Sequence, residues 1–369
     1  MLYKRTFVLK GEHMMLKNYL LIDDKNLARF DELYRDYKRM YEDPDNCSPK
    51  FIIRTPVKLS STVRERVEDP IAMLKAELDI LRSHIEIGDD RVPSVRVQFG
   101  TAQVAAAFGC RMHVFENSLP AAGNHVVKSI EDIYKLRKPA LDSGWYGKLK
   151  EFTEIFKENL PPGVHIQHPD IQSPFNNAYM IRGNDIFLDF YDDADAVGYL
   201  LDVVTDYMIE LVPYLKNMIS DDREWFFDWG AMWKGAARIS NCSLHMISPE
   251  FYTKHILPRD KKLLKAIGGG RIHYCGTSDK VMDQMFKIDD LTGFDYDANH
   301  HNLWDICDKI PKNITLLQWG DPPEAQQSTV ERLLKGDWPK KRNIIIEAQA
   351  GSIEEGRELL KRLRASVPD

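Results

Sequence analysis

The feature that most constrains this chain is an alternation. Short apolar runs of strand length recur along it, each followed by a stretch whose apolar residues fall at helical spacing. Asn26 to Glu42 has that helical spacing with charges between, and the turn cluster Asp43-Pro-Asp-Asn-Cys-Ser-Pro follows. Phe51 to Pro56 then has strand length. Asp69-Pro70 opens an amphipathic segment to Ile85, which Gly88-Asp89-Asp90 ends. Val92 to Gly100 reads as a second strand, and Gly163 to Asp170, after an insertion with its own helices, as a third. Asp193 to Ile219 is one long helical pattern. The fourth strand is Ala236 to Asn241, with Trp225 to Trp229 as a competing candidate. Ser248-Pro249 starts a helix, with Ser as cap and Pro at the first position. Further strands follow at Gly270–Gly276, Leu291–Asp297, Ile314–Gly320 and Asn343–Ala348. Helices at Asp279–Met285, Leu303–Ile310, Val330–Lys335 and Ile353–Arg364 separate and close them.

Strands that alternate with helices pair in parallel, and about eight of them in 369 residues predict an α/β chain folded as a single (β/α)8 TIM barrel. An open doubly wound sheet is the runner-up. Against it, no Gly-x-Gly-x-x-Gly loop follows any strand, and Gly268-Gly-Gly270 precedes one instead. With no internal repeat and no low-complexity linker, residues 43–369 are expected to form the barrel and residues 1–42 an N-terminal extension with its helix.

Charge narrows the partners. Fifty Lys and Arg against 56 Asp and Glu leave a net charge of −6 without a basic run, so neither nucleic acid nor an anionic membrane is an expected partner. No apolar stretch approaches the roughly 18 residues that span a bilayer. The first residues, soon interrupted by Lys10, Glu12 and His13, do not read as a signal peptide, and a soluble cytoplasmic protein is expected. The cysteines, Cys47, Cys110, Cys242, Cys275 and Cys307, are odd in number and scattered, which suits reduced thiols.

Barrel enzymes carry their chemistry at the carboxyl ends of strands. Those positions offer Arg54, Gln98, His168, Asp170, Asn241, Cys242, His273, Cys275, Asp297, Trp319, Asp321, Glu347 and Gln349. Each alone reads as a hydrogen-bonded rim residue. Together they predict a polar pocket with few lysines and arginines, where Gln98, His168, Asn241, His273, Asp297 and Glu347 converge. The sharpest local pattern is His273-Tyr-Cys275-Gly276. Residues i and i+2 of a strand share a face, and imidazole with thiolate is a ligand pair zinc prefers. The pair is expected to face the barrel mouth, with Glu347 or Cys242 as third donor and a fourth position open; the competing reading is a buried His and Cys that simply face the rim. His165, His168 and His300-His301 read as strand-rim or loop histidines. No nucleophile elbow, P-loop or His-Glu-x-x-His occurs.

The stretch Gln167 to Gly183, with Ser173-Pro174-Phe175 and an Arg-Gly at its end, resembles the uroporphyrinogen decarboxylase superfamily. The likeness continues through Met246-Ile247-Ser248-Pro249-Glu250, Ile256-Leu-Pro258, His273-Tyr-Cys275-Gly276 and Gly320-Asp321-Pro322, in that order. It implies a (β/α)8 barrel and one of two chemistries. One is metal-free decarboxylation of uroporphyrinogen in porphyrin biosynthesis. The other is methyl transfer between a small methylated molecule or thiol and a corrinoid on a partner protein, with zinc on His-x-Cys and a later Cys. The decarboxylase loop Arg-Gln-Ala-Gly-Arg is absent; Ile53-Arg54-Thr55-Pro56-Val57 stands in its place. Methyl transfer fits better at His273 and Cys275, although Glu347-Ala-Gln349-Ala350-Gly351 lacks the later Cys, leaving Glu347 or Cys242 to replace it. Arg54, Gln98, His168, Asn241, Asp297 and Trp319 are the expected substrate pocket. A barrel that binds a ligand without catalysis is the third reading.

Overall fold

The structure, a computed structural model, describes Leu16 and residues 18–319, 323–340 and 343–368. Gly320-Asp321-Pro322 lies outside the described residues, and so does the chain start. The strands that position the site are β1 (Lys50–Arg54), β2 (Ser94–Val95), β3 (His165–Ile166), β4 (Trp225–Asp228), β5 (Ala231–Lys234), β6 (Ala237–Ser240), β7 (Gly270–Tyr274), β8 (Leu291–Asp297), β9 (Thr315–Trp319) and β10 (Ile344–Gln349). A parallel sheet runs in the order β1-β10-β9-β8-β7-β6, and β2 pairs with β3 in parallel. Together they form a TIM barrel of eight parallel strands among the described residues, with the ladder interrupted at two joins. Between β1 and β2, side chains replace ladder bonds: the Asp90 and Asp89 carboxylates accept from the N–H groups of Phe51 (2.8 Å) and Ile53 (2.7 Å). Between β3 and β6, Ser173 N–H donates to Ser240 O at 3.1 Å. The second and third strands are far shorter than the apolar runs Val92–Gly100 and Gly163–Asp170 suggest: the β1 N–H groups beside them go to Asp89 and Asp90, and His168 N–H goes to Phe227 O of β4 at 2.8 Å.

The helices follow their sequence signals. α1 (Asp24–Glu42) is capped by Asp23, whose side chain accepts from Asn26 N. α2 (Pro70–Ile87) starts on Asp69 and Pro70 and stops at Gly88, whose φ of 78° a side chain would strain. α3 (Pro174–Arg182), α4 (Ala194–Ile219), α5 (Leu257–Ile267) and α6 (Asp279–Met285) cover the outside. Among the described residues, no helix is long and apolar enough to cross a membrane.

Strand alternation divides the apolar residues in two. Phe51, Ile53, Val95, Ile239, Ile272, Phe294, Leu316 and Ile346 pack outward against the helices. Ile52, Leu317 and Ile345 point inward, where a second cluster is completed by Leu33, Tyr37 and Met40 of α1 and by the antiparallel hairpin β4–β5. Both candidates for the fourth strand are therefore strands: Ala237–Ser240 joins the barrel, and Trp225–Asp228 plugs its lumen. The fit is tight. A Cβ on Gly293 of β8 would lie 2.5 Å from the Trp233 ring, so only glycine passes the plug there.

The plug is tied by charge. Asp228, at the end of β4, pairs with Arg96, with Arg238 Nε (2.9 Å) and with an Arg271 terminal nitrogen (2.6 Å), all buried. Arg238 also reaches Asp170 at 2.7 Å, and Arg271 reaches Asp295 at 3.1 Å. Burial pulls Arg96 and Arg271 down to about 9, which still leaves them charged near neutral pH. Removing one partner from such a set leaves an uncompensated buried charge. Asp228→Asn is expected to cost about 3–5 kcal/mol in urea unfolding; a loss below about 1 kcal/mol would show that the arginines find other partners.

Candidate functional site

The ladder places His273 of β7 directly beside Asp295 of β8, and the side chains meet inside the barrel with His273 Nδ1 2.5 Å from Asp295 Oδ2. Cys275 is the first residue beyond the strand, since β7 ends at Tyr274. Its position is set by a turn rather than by the period of two. Cys242 opens a short 3-10 turn after β6, and that turn is docked on β7 by Asn241 N–H donating to His273 O at 2.8 Å. One ligand atom each from Cys242, His273 and Cys275 lies within 4.8 Å of the other two. His273 is buried and both cysteines are half-buried.

These groups set each other's protonation. The hydrogen bond between the sulfurs pulls Cys275 down to about 5, helped by His273, and raises Cys242 well above the ordinary thiol range. Burial works against charge on His273, yet Asp295 holds it up to about 9. In the same way, Arg238 overcomes burial and draws Asp170 down to about 2.

A cavity of about 450 Å³ opens beside this cluster, lined by Arg54, Glu77, Arg91, Arg96, Gln98 and Trp229 among others. The Trp229 ring is the shared wall: it lines the cavity and lies 5.3 Å from the His273 ring and 5.5 Å from the Trp319 ring. Its backbone is held at φ 49°, with its N–H donated to Gln167 Oε1 at 3.0 Å. Left-handed backbone in a bulky residue is costly, and it persists here because the plug's tip is fixed from several sides.

The expected pocket is only partly assembled. Gln98 and Arg54 line the cavity and Trp319 stands against Trp229. His168, Asn241 and Asp297 do not line it. His168 donates from Nδ1 to Pro169 O at 2.8 Å, and burial pushes it down to about 3. Asn241 donates to Asp260 Oδ2 at 2.9 Å beneath the rim, and Asp297 accepts from the Asn299 N–H at 2.9 Å. Glu347 is outside the thiol cluster because Arg54 takes its carboxylate at 2.8 Å. Gln349 is exposed. Nor is the pocket poor in arginine, since Arg54, Arg91 and Arg96 all line it. The buried partners Arg271, Asp295 and Arg238 escaped the strand-end rule, although the same period of two marks them: each sits two residues before His273, Asp297 or Ser240 on the inward face. Trp229 carries no comparable signal, because its place depends on the hairpin entering the lumen.

Residues 56–317 match the uroporphyrinogen decarboxylase (URO-D) family. Methylcobamide:CoM methyltransferase MtbA of Methanosarcina acetivorans is 30% identical over 203 residues, 53% of this chain and 55% of that protein. The MtbA of Methanosarcina mazei is 28% identical over 194 residues, 50% of this chain and 52% of that protein. The chain thus spans about half the length of the curated relatives it matches. A solved structure, a methyltransferase from Methanosarcina mazei, shares the fold at a TM-score of 0.65 and 16% identity, covering 90% of this chain and 97% of that one.

The floor of the site holds one titration accessible to experiment. Asp260 of α5 is fully buried, accepts from Asn241 and from the Tyr252 hydroxyl (3.2 Å), and is pushed by burial up to about 7. An unfolded chain releases such a proton near ~3.9. The fold therefore binds more protons between those values, and its stability falls as pH rises from about 4 to about 7. Urea unfolding at pH 5 and pH 7.5 should show the wild type losing more stability than Asp260→Asn across that interval. Equal losses would argue against a protonated Asp260.

Proposed function

The chain belongs to the uroporphyrinogen decarboxylase family, and we propose that this member transfers a methyl group between a small methylated molecule or thiol and a corrinoid held by a partner protein. The observation that carries this reading is the gathering of one imidazole and two sulfurs at the barrel mouth. That donor set suits zinc: two cysteines and one histidine, with the histidine braced by a carboxylate. Three protein donors leave a fourth position for a substrate, whereas a structural zinc closes its shell with four. When bound there, zinc supplies Lewis acidity that lowers the pKa of a thiol or polarises the atom bearing a methyl group.

The chain's own residues prepare the site. Asp295 engages His273 Nδ1, which fixes the ring and leaves its other nitrogen for the sulfur side. Arg271 reaches the same Asp295 carboxylate and keeps it ionised. Trp229 and Trp319 flank His273 with apolar surface, and the cavity beyond Trp229 gives a small molecule room beside the cluster. The relatives named for methyl transfer from methylcobamide support the same class and the corrinoid partner.

Decarboxylation of uroporphyrinogen is less favoured by the cavity's charge. An eight-carboxylate substrate needs several available cations. Here Arg54 is paired with Glu347 and Arg96 with Asp228.

The test uses the full chain loaded with zinc, methylcobalamin as methyl donor and coenzyme M as a small thiol, followed by the absorbance change on demethylation. Wild type should bind one zinc and demethylate the corrinoid. Cys242→Ala, His273→Ala and Cys275→Ala should each lose zinc and fall to background, while Glu347→Gln keeps its zinc. Full turnover by Cys275→Ala, or consumption of uroporphyrinogen instead, would overturn the proposal.

A further inference from the structure

Two of the three candidate ligands lie outside the sheet. His273 is locked in the β7 ladder, but Cys242 and Cys275 sit in the turns that follow β6 and β7. Strand pairing fixes neither sulfur, so something else must. For Cys242 the turn is held by Asn241 on His273 O and by Ser243 N–H donating to Asn176 Oδ1 at 3.0 Å. For Cys275 the lower hold is Tyr274, whose hydroxyl accepts from Ser278 N–H at 3.1 Å. The turn is tight: a Cβ on Gly276 would lie 2.5 Å from the Tyr274 ring.

The upper hold is His301, from the loop after β8. Its ring is buried, 2% exposed at the side chain. Nε2 lies 2.8 Å from Gly276 O, and Nδ1 lies 2.9 Å from Asp279 Oδ1 at the first turn of α6. The Gly276 carbonyl can only accept, so Nε2 donates to it, while the other ring nitrogen faces the Asp279 carboxylate. Tyr274 and Tyr296 flank it at 6.0 and 6.3 Å, and its own N–H is tied back to Asp297 O at 3.3 Å. The carbonyl it grips belongs to the residue after Cys275, so the clamp acts one peptide away from the sulfur.

We propose that His301 is a positioning residue of the candidate centre, which clamps the Cys275 turn so that its sulfur stays with His273 and Cys242. The inference rests on the metal reading of those three residues. Outer partners of this kind typically change metal affinity without touching the metal.

Cobalt(II) is the probe, because a cysteine sulfur bound to it gives a charge-transfer absorption independent of turnover. Full-length wild type, His301→Ala and His301→Gln are titrated with cobalt, and their metal-free melting temperatures are measured alongside. His301→Ala should bind cobalt about 10- to 100-fold more weakly, with a weakened sulfur band. His301→Gln, whose amide can still donate to Gly276 O, should recover part of both. Unchanged affinity and band in His301→Ala, with only the melting temperature lowered, would overturn the clamp while leaving the metal centre standing. A wild-type chain that takes up no cobalt, or whose Cys275→Ala variant binds it equally well, would overturn both.

Discussion

One carboxylate organises the interior. Asp228 stands at the end of a strand inside the barrel and gathers Arg96 from just past β2, Arg238 from β6 and Arg271 from β7. Three guanidinium groups facing a common lumen would repel one another, and removing them from water costs several kcal/mol each. Asp228 offsets that cost, and in doing so it selects how the hairpin sits. The hairpin's tip must then rise toward the mouth, where Trp229 takes its left-handed backbone between Gln167 and His273. A lumen packed only with Leu and Val would need no such plug, and its mouth would have no aromatic wall.

The same charges reach the thiol cluster by short steps. Arg271 touches both Asp228 and Asp295, and Asp295 holds His273. Arg238 touches Asp228 and Asp170. The guanidinium groups of Arg238 and Arg271 also lie over the Trp229 ring, at 5.2 and 5.1 Å. The orientation of His273 is therefore coupled to the packing of the barrel floor. Its ring is braced by a chain of contacts that begins at the plug, from Asp228 through Arg271 to Asp295.

Much of the fold was legible because barrels repeat one local rule. Helix starts at Asp69-Pro70 and Ser248-Pro249 and the apolar runs at Phe51, Ile272 and Ile345 each announce themselves within a few residues. The exceptions are informative. Val92–Gly100 has strand composition but little ladder, because the Asp89 and Asp90 carboxylates take bonds that a neighbouring strand would otherwise make. Trp225–Asp228 has strand composition and is a strand, yet its place in the lumen is a tertiary fact that no window of sequence contains. The site divides the same way. His273 and Cys275 were visible as a spacing, while the floor of the site, Asp260 under Asn241, joins residues far apart in sequence through side chains alone.

The position of the third donor has a geometric reason. The family resemblance puts the second sulfur after the last strand, which in this barrel is β10, three places from β7 in the sheet order. Here the last strand carries Glu347, committed to Arg54, and the candidate second sulfur lies in the turn after β6. Since β6 is hydrogen-bonded to β7, the turns beyond them start about 5 Å apart. Donors on adjacent strand ends converge with short side chains, whereas a donor three strands away must lean across the mouth. A sulfur on the adjacent strand end gives a candidate donor set of one imidazole and two thiols. On the opposite rim Arg54, paired with Glu347, lines the cavity. The candidate donors and the cavity are therefore built on different strands: the donors at the ends of β6 and β7, and the cavity wall from Arg54 after β1 through Gln98 and Gln167 beyond β2 and β3.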